Sequence, residues 1–247
     1  MPDNIQIVIT DLTQMPTGDR VCIAGINERN NCYRLCWNDD LGVPKELLKQ
    51  NGEVIIRPKA KITVDLQSTT AQPPHIEDRK FDPSSLRYIG LCNDQEWKQV
   101  LERSSYSSVH DIYDGYLQNN RWVAPGARTK SLGTLTKVHV KAINIDASGI
   151  RGRLIFLDNS GDTYDYPISD LAFRDMIYDA IRTRGRSSEA VTMDVLKTIQ
   201  GTDHVYLRIG LARPWSPNPA IEKHCYAQIT GIYTFPDYLN GRCFADF

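Results

Sequence analysis

Three strand-like segments follow one another between residues 135 and 167 with no helix among them, which limits what the second half of the chain can become. "LTKVHVKAINID" (135–146) sets Val138, Val140 and Ala142 on one face. "SGIRGRLIFLD" and "DTYDYPI" alternate in the same way around a turn at Asn159-Ser160-Gly161. A doubly wound sheet places a helix between parallel strands, so this order excludes it. A helix comes next, with Ser169 or Asp170 as its cap. Its Phe173, Met176, Ile177, Ala180 and Ile181 form one apolar stripe. "SSEAVTMDVLKTIQG" reads as a second helix stopped by Gly201, and "HVYLRIGLARP" and "CYAQITGIYTF" as two closing strands.

Strand-strand-strand-helix-strand-strand is the order of an OB-fold, a five-stranded Greek-key barrel. The first half fits the same scheme more loosely. Its strands are 4–12, 20–27, 32–37, 53–57 and 60–67, with a short helix at 44–50 that has Pro44 at its first position and stops at Asn51-Gly52. A polar loop over 68–85 then leads to the strand "LRYIGLC" and a helix at 94–105 with Asp94 as its cap. Residues 118–134 mix Asn, Gly, Pro and Arg without periodicity, so the boundary is expected near 120–132. The expected fold is mostly β: two OB-like Greek-key β-barrels in tandem. Residues 1–120 form the first barrel with a C-terminal helical segment, and 121–247 the second, with helices between its strands three and four.

Composition narrows the function. No apolar run approaches the ~18–20 residues of a membrane helix, and the N-terminus lacks the basic and apolar regions of a signal peptide, so a cytoplasmic protein with no membrane partner is expected. Residues 1–120 carry 13 Lys+Arg against 17 Asp+Glu, a net of −4, and residues 121–247 carry 16 against 13, a net of +3. That tilt is too mild for a dedicated duplex binder, so any nucleic acid must be held by local stripes. The cysteines at 22, 32, 36, 92, 225 and 243 form no CxxC pair, which argues for free thiols and no zinc. "HIEDR" (75–79) and "DNSGDTYD" (158–165) read as polar loop and turn: the first has no converging ligands, and the second lacks the closing glutamate of a calcium loop. No GxxxxGK[ST], GxGxxG or GxSxG occurs. Without a catalytic signature or cofactor motif, a non-catalytic role with no cofactor is expected.

OB-folds bind across strands two and three and the loops beside them. In the first half this points to "CYRLCW" (32–37), where Tyr33, Leu35 and Trp37 share one face and Cys32, Arg34 and Cys36 the other. If the aromatic face turns inward, Arg34 is exposed, the usual state of Arg. If the cysteines turn inward, Arg34 must be paired or reach an opening. In the second half, the loop "RPWSPNPAIEKH" (213–224) sets Arg213 and Trp215 at one end and Lys223 and His224 at the other. Aromatic rings beside cations suit single-stranded nucleic acid, because bases stack and phosphates need positive charge. A tryptophan folded over the barrel end as a plug is the alternative. Arg151 and Arg153 alternate onto one face of the 150–167 strand pair, as do Tyr164 and Tyr166. The candidate ligand-binding residues are Arg34, Trp37, Arg151, Arg153, Tyr164, Arg213, Trp215 and Lys223.

With "GDRVCIAGINERNNCYRLCW", "PHIEDRKFD", "YLRIGLARPW" and "CYAQITGIYTFPDYL", the chain resembles the dual OB-containing domain proteins of bacteria and archaea over nearly its whole length. The resemblance implies two OB-like barrels and a role in binding nucleic acid or a nucleotide, in connection with prokaryotic defence. It brings no catalytic residues. The expected ligand is single-stranded nucleic acid or a nucleotide; the alternative is an adaptor that docks a protein partner. Elemental analysis of the purified protein is expected to find no stoichiometric zinc, and thiol titration after denaturation to find all six cysteines reduced.

Overall fold

The computed structural model describes residues 3–37, 42–67 and 71–247. In the first half, β1 (Asp3–Gln14), β2 (Arg20–Ile26) and β3 (Cys32–Cys36) run as antiparallel neighbours. A short piece, β4 (Val43–Pro44), pairs with β2. After a 3₁₀ turn at Lys45–Leu48 come the two-residue strands β5 (Lys49–Gln50) and β6 (Glu53–Val54), then β7 (Ala60–Leu66) and β8 (Asp78–Leu91). In β7 the alternation is complete: Ala60, Ile62, Val64 and Leu66 are buried, whereas Lys61, Thr63 and Asp65 face outward. β1 pairs with both β7 and β2, and β3 pairs with β8 in parallel, so the order β1-β7-β8-β3-β2 returns to β1. That is the pairing scheme of an OB barrel.

Two expectations need correction here. The strand expected at 53–57 shrinks to Glu53–Val54, and the loop expected over 68–85 gives way to β8 at Asp78. The expected strand "LRYIGLC" is the second half of β8; its first half is hidden because the ladder with β7 slips between Thr63 and Asp65, whose partners are Arg87 and Asp82. The bulge takes up Pro83, which has no N–H to give a ladder, and the Ser85 hydroxyl accepts the Asp65 N–H at 2.8 Å. Helix α1 (Asp94–Arg103) is capped by Asn93 rather than Asp94; the Asn93 side chain and Glu96 satisfy each other's backbone N–H groups.

The second half begins its sheet upstream of 120–132. β9 (Ser105–Tyr106) and the turn of helix α2 (Val109–Ile112) already pack with it, followed by β10 (Trp122–Val123) and β11 (Leu132–Leu135). Three antiparallel strands follow as expected, β12 (His139–Ile145), β13 (Gly152–Leu157) and β14 (Thr163–Ile168). Helix α3 (Leu171–Tyr178), which runs on into a π turn at Asp179–Thr183, and helix α4 (Ser188–Gln200) precede β15 (His204–Leu211) and β16 (Cys225–Phe235). β14 meets β16 in parallel, the OB arrangement again. The long strand expected at 135–146 is broken instead. Lys137 has φ of 56°, and the break lets β11 pair with β15 while β12 pairs with β13. Asp170, not Ser169, caps α3, accepting the Phe173 N–H. A Cβ on Gly152 would lie 2.7 Å from the Phe173 ring, so glycine is what lets α3 sit on the barrel.

β1 departs from simple alternation: residues 7 to 13 are buried on both faces. Its inner face fills the first core, and its outer face meets the second barrel and α1. Val8 packs with Trp97, Leu101, Tyr206 and Tyr233, and the bulge at Asp11 turns that carboxylate toward β15. Arg208 (1% exposed) grips Asp11 (2%) through Nε at 3.2 Å to Oδ1 and Nη2 at 2.7 Å to Oδ2. Thr10 and Thr230 donate their hydroxyls to the same carboxylate, Arg208 Nη1 donates to Thr134 Oγ1, and the Tyr233 hydroxyl donates to the Thr10 carbonyl. Burial and hydrogen bonding together lock the two barrels against each other. Arg208→Met strands a buried carboxylate and is expected to lose about 3–5 kcal/mol, read as a lowered urea midpoint. Adding Asp11→Asn should recover part of that loss.

Candidate nucleic-acid interface

The start of β16 alternates, with Cys225 and Ala227 buried and Tyr226 and Gln228 half-exposed. β10 pairs with it so that Trp122 lies opposite Tyr226. Just upstream, Trp215 and His224 exchange backbone hydrogen bonds at 3.0 and 2.9 Å, which closes loop 213–224 into an arm. Together these pairings put four rings on one surface. Trp122 stacks on His224 at 3.7 Å and 12°, His224 meets Tyr226 edge-on at 6.1 Å, and Trp215 meets Tyr226 edge-on at 6.0 Å. Trp215 is 57% exposed, and Lys223 is exposed beside it. The Arg121 guanidinium lies 6.0 Å from the Tyr226 ring centre. The result is an aromatic ridge with cations along its length.

Of the residues singled out in sequence, Arg213, Trp215 and Lys223 come together on this arm. Arg213 also reaches inward, donating to Asp78 Oδ2 at 2.7 Å. His224, which the sequence set beside Lys223 in the same loop, joins those three, and Trp122, Arg121 and Tyr226, not among the sequence candidates, complete the ridge. Trp122 and Arg121 sit in what reads as a linker, and Tyr226 sits in the strand expected after the loop, where nothing in the sequence sets it apart.

The other candidates lie elsewhere. Arg34 corrects the expectation of an exposed side chain: it is 4% exposed and ion-paired. Its Nη1 donates to Asp78 Oδ1 at 2.9 Å and meets His75 Nδ1 at 3.1 Å, while Nη2 donates to Ser131 Oγ at 2.9 Å. It is a strut between the barrels, paired as the inward-cysteine alternative requires. Trp37 is half-buried, edge-on to Phe81 at 6.5 Å. Tyr164 belongs to the second core with Tyr166. It stacks on Phe156 at 5.3 Å and donates to Asp158 at 3.0 Å, so no base can lie on it. Arg153 is paired with Asp165 at 2.7 Å, and Arg151 is exposed on the loop before it.

Around Arg34 the electrostatics are set by burial. Burial alone would raise the Asp78 carboxyl, but the Arg213 and Arg34 guanidiniums prevail and hold it below its ordinary value. His75 is pushed down to about 3, first by burial and then by the charges of Arg34 and Arg213. It therefore stays neutral, accepting at Nδ1 from Arg34 and turning Nε2 toward Cys225 Sγ at 3.9 Å. Among the described residues no three His, Cys, Asp or Glu side chains converge as a metal site, and no helix is long and apolar enough to cross a membrane.

A family model for the dual OB-containing domain matches residues 5–232. The chain belongs to the dual OB-containing domain family. The match spans both sheets and stops within β16. No curated protein matches the sequence. A dual OB domain is a binding module, and OB domains generally take nucleic acids or proteins as partners.

The neutral His75 of this dual OB protein has a consequence for stability. The folded state refuses a proton that the unfolded chain accepts below its ordinary value of 6.5, so stability holds above that pH and falls as pH drops toward 3. The fall between pH 6.5 and 5 should be about 1–2 kcal/mol. His75→Gln is expected to flatten this slope in urea melts at the two pH values.

Proposed function

We propose that this dual OB protein is a cytoplasmic, non-catalytic binder of single-stranded nucleic acid, and that the ridge on its second barrel is the contact surface. The observation that carries this reading is Trp215, a large ring left 57% exposed on a proline-stiffened arm, with Tyr226 at its edge and cations beside it. Exposed rings of this kind are costly in water, whereas any base offers them a stacking face. Arg121, Lys223 and the outer side of Arg213 supply positive charge of the kind phosphates need. The sequence-tolerant character of stacking fits a role in recognising foreign or damaged strands, in keeping with the defence setting that the family resemblance implies.

Stacking contributes about 1–3 kcal/mol per base, so Trp215→Ala should weaken binding of a short oligonucleotide about tenfold or more. Because its side chain is exposed, the thermal melt should not move. Arg121→Ala should instead lower the salt slope of log Kd by about 0.7, the loss of one single-strand phosphate contact. If both variants bind like the parent, the ridge is not the site. A protein partner then becomes the better reading, and the exposed Tyr88, Ile89 and Leu91 at the end of β8 favour a docking surface there.

A further inference from the structure

A groove of about 730 Å³ opens between the two barrels, on surfaces the ridge does not use. Its walls come from the β2–β3 hairpin, the start of β8, the end of α1, β9 and the segment before β11. Four cations line it: Arg79, Arg103, Lys130 and Arg208. Arg208 is neutralised by Asp11 and forms the floor. Lys130 is shared with Asp114 at 3.0 Å and covers the Tyr106 ring at 5.1 Å. Arg79 and Arg103 have no carboxylate partner among the described residues. Arg79 donates Nη1 to the carbonyls of Ile76 and Asp78, and Arg103 donates Nη2 to that of Asn27. Each guanidinium is therefore held in place with further N–H groups free, which lowers the ordering cost of binding an anion.

The lining holds one carboxylate, Glu77, and both its oxygens are occupied. Oε1 accepts the Ser131 and Leu132 N–H groups and Oε2 the Ser131 hydroxyl. Glu77 carries a negative charge, but its oxygens are held by these neutral donors and accept from neither arginine, so both guanidiniums keep N–H groups for an incoming anion. The volume lies within the range of small-molecule sites and is far larger than a phosphate alone requires. The half-buried Tyr33 ring borders the same space, not covered by a cation as Tyr106 is.

We propose that this groove binds a nucleoside phosphate, its phosphates on Arg79 and Arg103 and its base against Tyr33. The site is separate from the ridge and does not depend on the reading of the ridge. Calorimetric titration of the whole protein with ATP, and separately with tripolyphosphate, tests it. ATP should bind saturably at one site. Arg103→Ala removes a charged hydrogen-bonding partner and should weaken ATP about tenfold or more, and Arg79→Ala should add to the loss. Arg103 is exposed, so its variant should melt normally and decides the matter even if Arg79→Ala disturbs folding. Tyr33→Leu should weaken ATP and leave tripolyphosphate unchanged. Trp215→Ala should weaken oligonucleotides but not ATP, so failure at either site is distinguishable from failure at the other. The proposal is overturned if ATP shows no saturable binding, if Arg103→Ala binds ATP like the parent, if tripolyphosphate binds as tightly as ATP, or if Trp215→Ala abolishes ATP binding.

Discussion

An ion pair taken out of water is tolerable only when every donor and acceptor on it is met. Asp11 and Arg208, 197 positions apart in sequence, satisfy that condition through Thr10, Thr134 and Thr230. The rest of the arrangement depends on this contact. It forces β1 to be buried on both faces, one toward its own barrel and one toward its neighbour. It requires the bulge that turns Asp11 outward while Ile9 and Leu12 stay in the core. The two barrels are therefore joined side by side through a polar and aromatic seam, unlike beads on a linker.

A second polar layer repeats the design. Arg34, His75, Glu77, Asp78 and Ser131 cross-link the barrels, and Arg213 reaches into the same layer from the arm that carries Trp215. The ridge and the seam are thereby mechanically continuous: the arm is tethered at its base by the Arg213–Asp78 ion pair and closed just beyond it by the Trp215–His224 backbone pair. That tether holds the rings at fixed separations, which reduces the entropy lost when a flexible strand stacks on them.

The hydrophobic pattern made much of the fold legible. The alternation over 135–167 specified three antiparallel strands, and a cap at Ser169 or Asp170 and the stop at Gly201 bounded the helices between strands three and four. Local chemistry is enough for such features because pleat and helical period are properties of neighbouring residues. Only the second half of β8 was legible, as the strand "LRYIGLC"; its first half, from Asp78, was not, because the bulge breaks the period. Neither was the split between β11 and β12, which rests on the left-handed backbone at Lys137. The site was read in part. Loop 213–224 announced itself by composition, but Trp122 and Arg121 join it only through the β10–β16 pairing, more than 100 residues across the chain.

Alternation by itself determined which residues share a face: Cys32, Arg34 and Cys36 on one side, Tyr164 and Tyr166 on another. Only the tertiary structure decided what each face meets. The Tyr164 face turned into the second core, and the Arg34 face turned toward a second barrel rather than toward water. The physical reason is that a period of two fixes relative orientation within a strand and carries no information about the surface opposite. The burial of Arg34 depends on Asp78 and Ser131, brought to it by pairings 44 and 97 residues away in sequence.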